Sequence, residues 1–377
     1  MSAEDILKAK MEASDSPNVP RIGHLLLGLG FQILLVEEKF KDDRDQDIGD
    51  VDLAFSFEDH VFLIEVSKER GGNEKIRASF EKWSESSNLQ KVQARIGLDD
   101  PARFFRIYVD TSKSSSNPGA GEMITQFRKP EEQNFILFQD DIRYFEEMRQ
   151  KAGRFARYDL LSLIGTKPAQ GSEPIKAIRF KMGGNEVFSF VMNAGLLLER
   201  AYVFRRRGKD LGYQRALDFD RVEEIEEKIR TRQIIAFPNS ILINLMRLVT
   251  SNPPAVEGEP PTVCDVDLPS EYCSARIVDG QHRLLGIARL PDVLIRPINL
   301  QVLAFNKLDQ EQEIRTFVEI NDNHSRVDSN LVLDLMADFD WPAGSVQSFR
   351  KEAVHVIRKL KENNVVPLYF GGASEEK

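Results

Sequence analysis

The chain has 377 residues, a net charge of -9, 41% hydrophobic and 29% charged residues, the make-up of a globular protein large enough for two cores. No apolar run is long enough to span a bilayer, and Met1-Ser2-Ala3-Glu4-Asp5 lacks the basic start and apolar core of a signal peptide, so a cytoplasmic protein with no membrane partner is expected. The acidic balance excludes an all-over cationic surface of the histone type but leaves room for local basic patches, and Cys264 and Cys273, without a CxxC spacing, read as reduced thiols.

Taken in order, the polar residues up to about Pro20 are expected to be loosely held. A short apolar helix follows between Arg21 and Phe31, then a strand over Phe31 to Val36 and a charged segment from Glu37 to Asp47. Val51 to Phe55 and His60 to Val66 read as two strands around a turn at Glu58-Asp59, and Ile76 to Ile96 as one long amphipathic helix carrying Phe80, Trp83, Leu89 and Val92. Phe104 to Val109 and Asn134 to Phe138 are further strands, the second leading into a helix from Asp140 to Ala152. The order helix, hairpin, helix, strand predicts an α/β core with a mixed sheet.

Asp52 and Glu65 fall near the ends of the two hairpin strands, where their carboxylates can face each other. Paired carboxylates followed by a lysine can hold a divalent metal, Mg2+ being the natural choice, and orient water toward a phosphodiester. Gly49-Asp50-Val51-Asp52-Leu53 and Ile64-Glu65-Val66-Ser67-Lys68 resemble the two motif strands of the PD-(D/E)xK nuclease superfamily. The resemblance implies Asp52 and Glu65 as metal ligands and Lys68 as their catalytic companion. It departs from the usual pattern at one place: the residue two after the glutamate is Ser67, so Lys68 needs a bulge to turn inward. A plain hairpin with solvated acids is the competing reading.

The run from Gly165 to Pro174 has the composition of a linker, dividing the chain into a domain over 1–164 and another over 175–377. The second opens with strands Ile175 to Phe180 and Glu186 to Val191 joined by Met182-Gly183-Gly184-Asn185, a hairpin signal. Asp218 to Arg232 is a charged helix, Phe237 to Leu245 a strand, and Val249 to Pro269 a loop rich in proline and acid. Ile295 to Phe305 reads as a buried strand, and helices follow over Gln310 to Ile320, Ser329 to Ala337 and Gly344 to Asn363. The apolar, abrupt end at Leu368-Tyr369-Phe370-Gly371-Gly372 suggests a chain cut short of its natural terminus.

Between these elements lies Ile277-Val278-Asp279-Gly280-Gln281-His282-Arg283-Leu284-Leu285, which reads as strand, sharp turn and helix start. Gly280 lets backbone approach a ligand, and the first helical amides lack intrahelical acceptors, a setting that favours an anion. Asp279 suits a metal or a ribose hydroxyl, His282 an oxyanion and Arg283 a phosphate. An Asp-Gly turn with solvated Gln, His and Arg accounts for the same residues.

Asp279-Gly280-Gln281-His282-Arg283 resembles the signature of DGQHR-domain proteins, which are similar to the ParB/sulfiredoxin class of nucleotide-binding folds. Gly212-Tyr213-Gln214-Arg215, Phe237-Pro238-Asn239-Ser240-Ile241 and Phe317-Val318-Glu319-Ile320-Asn321 match further blocks in order, covering about the second half of the chain. The resemblance implies a relative of the B component of the Dnd DNA phosphorothioation system, a regulator of DNA modification with nucleotide hydrolysis. It assigns Asp279, Gln281, His282 and Arg283 to catalysis, and Gly280, Gln214, Arg215 and Asn321 to binding ATP or another nucleoside triphosphate. No Walker P-loop is present.

Arg205, Arg206, Arg207 and Lys209 form a cationic cluster suited to the phosphates of DNA, or to solvent. The expected fold is therefore α/β (α+β): an N-terminal restriction-endonuclease-like mixed sheet flanked by helices, then a ParB/sulfiredoxin-like α+β domain. Three functions remain open: a nucleotide-hydrolysing DNA-modification protein, a non-catalytic DNA-binding regulator, and a nucleotide-gated, Mg-dependent nuclease. Partners expected are DNA, a triphosphate, and a second copy or other modification-system subunits.

Overall fold

The computed structural model describes residues 2–42, 44–67, 73–98, 103–166, 168, 173–202, 218–233, 237–254, 258–322, 352, 355–356 and 359. Its amino-terminal half starts with helices α1 (Ala3–Glu12) and α2 (Asn18–Gly28). Strands β1 (Gln32–Lys41), β2 (Asp47–Phe57) and β3 (His60–Val66) follow, then helices α3 (Asn73–Lys82) and α4 (Ser86–Ile96) and strand β4 (Arg103–Asp110). Helix α5 (Ala120–Phe127), strand β5 (Asn134–Phe138) and helices α6 (Gln139–Ala152) and α7 (Arg157–Ile164) complete this half.

The five strands form one sheet in sequence order. β1, β2 and β3 run antiparallel, whereas β3, β4 and β5 run parallel, with α3 and α4 in the β3-to-β4 crossover. Both faces are covered. Alternate residues such as Leu53, Phe55, Phe62 and Ile64 join the apolar cluster with α2, α6 and α7, and Ala54 and Leu63 pack with Trp83 and Val92 on the opposite side. Ile76 and Phe80 of α3 meet Tyr108 of β4 and Met123 of α5 on that second side. The period-2 alternation of a strand is what distributes one sequence to two cores.

The second half is a mixed sheet with helices. Its elements are β6 (Ile175–Met182), β7 (Asn185–Asn193), α8 (Ala194–Arg200), β8 (Ala201–Tyr202), α9 (Phe219–Arg230), β9 (Ile241–Leu245), β10 (Ser251–Asn252) and β11 (Thr262–Val266). β12 (Ala275–Asp279), α10 (Gln281–Ala288), α11 (Asp292–Ile295), β13 (Asn299–Phe305) and α12 (Gln310–Asp322) follow. Among the described residues the strand order is β10-β11-β6-β7-β13-β9-β12-β8. Gly183 and Gly184 both take positive φ, 58° and 83°, the backbone of a two-residue hairpin turn, as the Gly-Gly pair predicts. The overall class is thus α+β, as expected.

Several boundaries differ from the sequence reading. The single helix expected over Ile76 to Ile96 is broken after Lys82, where Ser84 Oγ donates to the Phe80 carbonyl and Asn88 Nδ2 to the Lys82 carbonyl at 2.7 Å. These side chains take over carbonyls that an unbroken helix would use. The start of the chain is helical rather than loosely held, because Ser2 and Asp5 make a reciprocal capping box. The strand expected from Phe237 begins only at Ile241, past Pro238, and the expected loop over 249–269 contains β10 and β11. Most of the two last helices expected, over 329–337 and 344–363, lies outside the described residues.

The two halves share an apolar cluster that runs from Val19 and Leu161 through Phe188 to Leu284. Polar contacts cross the same boundary: Tyr272 donates to Glu58 Oε2 at 3.2 Å, the Tyr158 and Tyr272 rings stand 5.1 Å apart, and Arg289 donates to the Gln150 carbonyl at 2.9 Å.

Candidate functional site

Leu53 pairs with Ile64 in the β2/β3 ladder, so Asp52 and Glu65 are the next cross-strand pair and point to the same side of the sheet. That side is the one carrying α3 and α4, since Ala54 and Leu63 two residues away lie there. Asp52 is buried, and its carboxylate accepts from the Val66 amide at 2.7 Å, which anchors it against its neighbour strand. Glu65 Oε2 is buried without a hydrogen-bond partner among the described residues. Burial pushes the Glu65 carboxyl up to about 7, Lys82 opposes the shift, and Asp52 and Asp50 add to it through charge repulsion.

The cation at this pair comes from a helix. Lys82, the last residue of α3, places Nζ 3.7 Å from Glu65 Oε2 and donates to the Asp50 carbonyl at 3.1 Å. Ser67 occupies the same-face position two residues after Glu65, buried, with its amide on the Val109 carbonyl at 2.9 Å. Lys68, the lysine singled out from the strand motif, lies outside the described residues. Lys82 was missed because it is 17 positions from Glu65. The signal that could have found it is its helical phase, three residues after the buried Ser79.

The second candidate is the turn between β12 and α10. Gly280 takes φ 99°, and a Cβ there would stand 2.6 Å from Ile241 Cδ1, so both conformation and space call for glycine. α10 has no side-chain cap. The Arg283 guanidinium turns toward its own framework: it donates to the Asn239 carbonyl, to the Ser240 carbonyl at 3.1 Å and to Asp279 Oδ2 at 3.1 Å. Burial lowers the pKa of the guanidinium below its ordinary value, with Asp279 opposing and Arg221 adding to the effect. Arg221, which the sequence offers as an extension of the Arg205–Lys209 cluster, is exposed in the first turn of α9. His282 Nε2 accepts from the Asp218 amide at 3.2 Å, joining the starts of α9 and α10, and Gln281 Oε1 is buried without a partner among the described residues.

Gln214, Arg215, Arg205, Arg206, Arg207 and Lys209 lie outside the described residues. Asn321 falls inside the last turn of α12 rather than beyond its end. Two features stand apart from either candidate. Glu58, Asp59 and His60 bring one ligand atom each within 4.8 Å of one another at the β2/β3 turn. A cavity of about 310 Å3 lies between Tyr144, Asp159, Tyr202 and Cys273, where Asp159 already accepts from Tyr144 at 3.1 Å and from the Cys273 thiol at 3.3 Å. Both cysteines are free thiols. No helix among the described residues is long and apolar enough to cross a membrane.

The structure thus sets a cross-strand carboxylate pair on the five-stranded sheet and, in the α+β half, a strand–glycine–helix turn packed against Ile241. Residues 175–362 match the family described as DndB, DNA-sulfur modification-associated, and the match supports a Dnd-system protein. No curated protein and no solved structure matches the chain.

Proposed function

We propose that this chain is a DNA-directed component of a DNA-sulfur modification system, with a divalent-cation site for phosphodiester chemistry at Asp52 and Glu65. The observation that carries the reading is the buried Glu65 Oε2, without a hydrogen-bond partner among the described residues, beside a second carboxylate that is already fixed by a backbone amide. Two oxygens of hard, anionic character suit Mg2+ or Mn2+. Asp52 and Glu65 would hold the ion, which when bound supplies Lewis-acid stabilisation of charge on a phosphodiester. The protein's own part is to keep the pair desolvated and in register, so that binding is coupled to ionisation of Glu65. The sheet order and the β2/β3 placement of the acids favour the PD-(D/E)xK-like reading of this half. DNA binding would draw on Arg205, Arg206, Arg207 and Lys209.

The test is cleavage of plasmid DNA, with and without phosphorothioate, by the full chain in Mg2+ or Mn2+. Metal-dependent cutting that Asp52→Asn reduces by at least about a hundredfold supports the reading. Cutting that survives the substitution, or none with either DNA, contradicts it.

A second reading, nucleotide binding at the β12–α10 turn, is favoured by one specific arrangement. The uncapped start of α10 adjoins the start of α9, with Arg221 close enough to act on the Arg283 charge. Two cations and a helix start without a side-chain cap form a setting for a phosphate group. ATP or another triphosphate would then bind at Gly280, with Asp279 toward the ribose or its metal.

A further inference from the structure

Lys82 does not reach Glu65 by chance of a flexible surface side chain. Its side chain is only 19% exposed, its Nζ lies 4.9 Å from the centre of the Trp83 ring, and the Asp50 carbonyl holds it from the other side at 3.1 Å. Space for it is made at Gly49, which takes φ 131° and where a Cβ would stand 2.9 Å from Lys82 Nζ and 3.0 Å from Cδ. The end of α3 that carries it is pinned through the Asn88 bond to the Lys82 carbonyl. Helix end, ring and glycine together lead one ammonium to one buried carboxylate oxygen.

The contact itself is incomplete. At 3.7 Å the pair has charge attraction without a hydrogen bond, and Glu65 Oε2 keeps its hydrogen-bonding capacity unused. An ammonium held near, yet short of, the oxygen balances charge and can be exchanged for a smaller, doubly charged ion.

We propose that Lys82 is a placeholder cation: it balances Glu65 when no metal is bound and yields that position to a divalent cation held by Asp52 and Glu65, so this lysine sets the metal affinity of the site. The inference rests on the reading of Asp52 and Glu65 as cation ligands. A like charge within a few ångströms in a partly dry site opposes a divalent ion strongly, so removing it raises affinity by at least roughly tenfold even when the side chain can swing aside.

The test is a Mn2+ titration of the full chain by calorimetry, paired with melting in EDTA and in Mn2+, for wild type, Lys82→Met, Lys82→Gln, Lys82→Arg and Asp52→Asn. Lys82→Met and Lys82→Gln are expected to bind Mn2+ at least about tenfold more tightly than wild type, to melt lower in EDTA and to gain more on adding Mn2+. Lys82→Arg stays within a few-fold of wild type, and Asp52→Asn loses the site. Should Lys82→Met not fold, Lys82→Gln, which keeps most of the stem, decides the matter. Wild-type binding at Asp52 with unchanged or weaker affinity in the lysine variants overturns the placeholder role and leaves the cation site standing. Absence of Mn2+ binding in wild type and lysine variants alike overturns both.

Discussion

Glu65 shows how one residue couples burial to chemistry. Its carboxyl titrates near 7 in the folded protein against an ordinary value of 4.5, first because burial disfavours the charged form. A folded-state value raised above the unfolded one means that the folded state holds the proton more tightly. Its contribution to stability is therefore complete below the unfolded value and is lost as pH rises from there through about 7. The side chain is 20% exposed, so the full shift corresponds to about 3 kcal/mol as an upper figure. Glu65→Gln, a neutral mimic, should match wild type in denaturant melts with EDTA at about pH 4 and exceed it by up to about 3 kcal/mol at about pH 8. A wild-type-to-variant difference that does not change with pH contradicts this placement of the carboxyl.

Among single elements, α10 separates what the DGQHR run does for the fold from what it does for a ligand. Arg283 binds the 239–240 backbone, so Arg283→Ala leaves two carbonyls without their donor and should cost roughly 2 kcal/mol of stability. Arg221 is exposed and has no such structural duty in the described contacts. If a triphosphate binds at this turn, Arg221→Ala should weaken it by about tenfold while leaving the melting temperature within a degree or two. Titrations with ATP, GTP and CTP, with and without magnesium, measure this; equal affinities for wild type and Arg221→Ala argue against a phosphate between α9 and α10.

The elements also show where sequence patterns carry structure and where they do not. The β6/β7 hairpin was legible because Gly183 and Gly184 supply the positive φ that such a turn needs. The Asp52 and Glu65 pair was legible because a short turn fixes strand register. The break between α3 and α4 was hidden, since Ile76, Phe80, Trp83, Leu89 and Val92 keep an apolar face on both sides of it. The α1 start was readable in principle from Ser2 and Asp5, a capping-box spacing that the polar composition masked. Lys82 at Glu65 and Arg221 near Arg283 arise from packing of one element on another, which local periodicity does not encode.

In the whole molecule, the Glu58 turn of the first sheet meets Tyr272 of the second half, and the apolar core is continuous between them. The acid pair, on β2 and β3, therefore sits on strands whose turn is held by the DndB-matching half. Central to the proposed function is the role of Asp52 and Glu65 as cation ligands. Its most direct measurement is anomalous diffraction from crystals of the full chain grown in Mn2+. A single strong peak within about 2.3 Å of oxygens from both Asp52 and Glu65, with Lys82 Nζ moved away from Glu65, is the predicted result. No peak there, or a peak only at Glu58, Asp59 and His60, would contradict it.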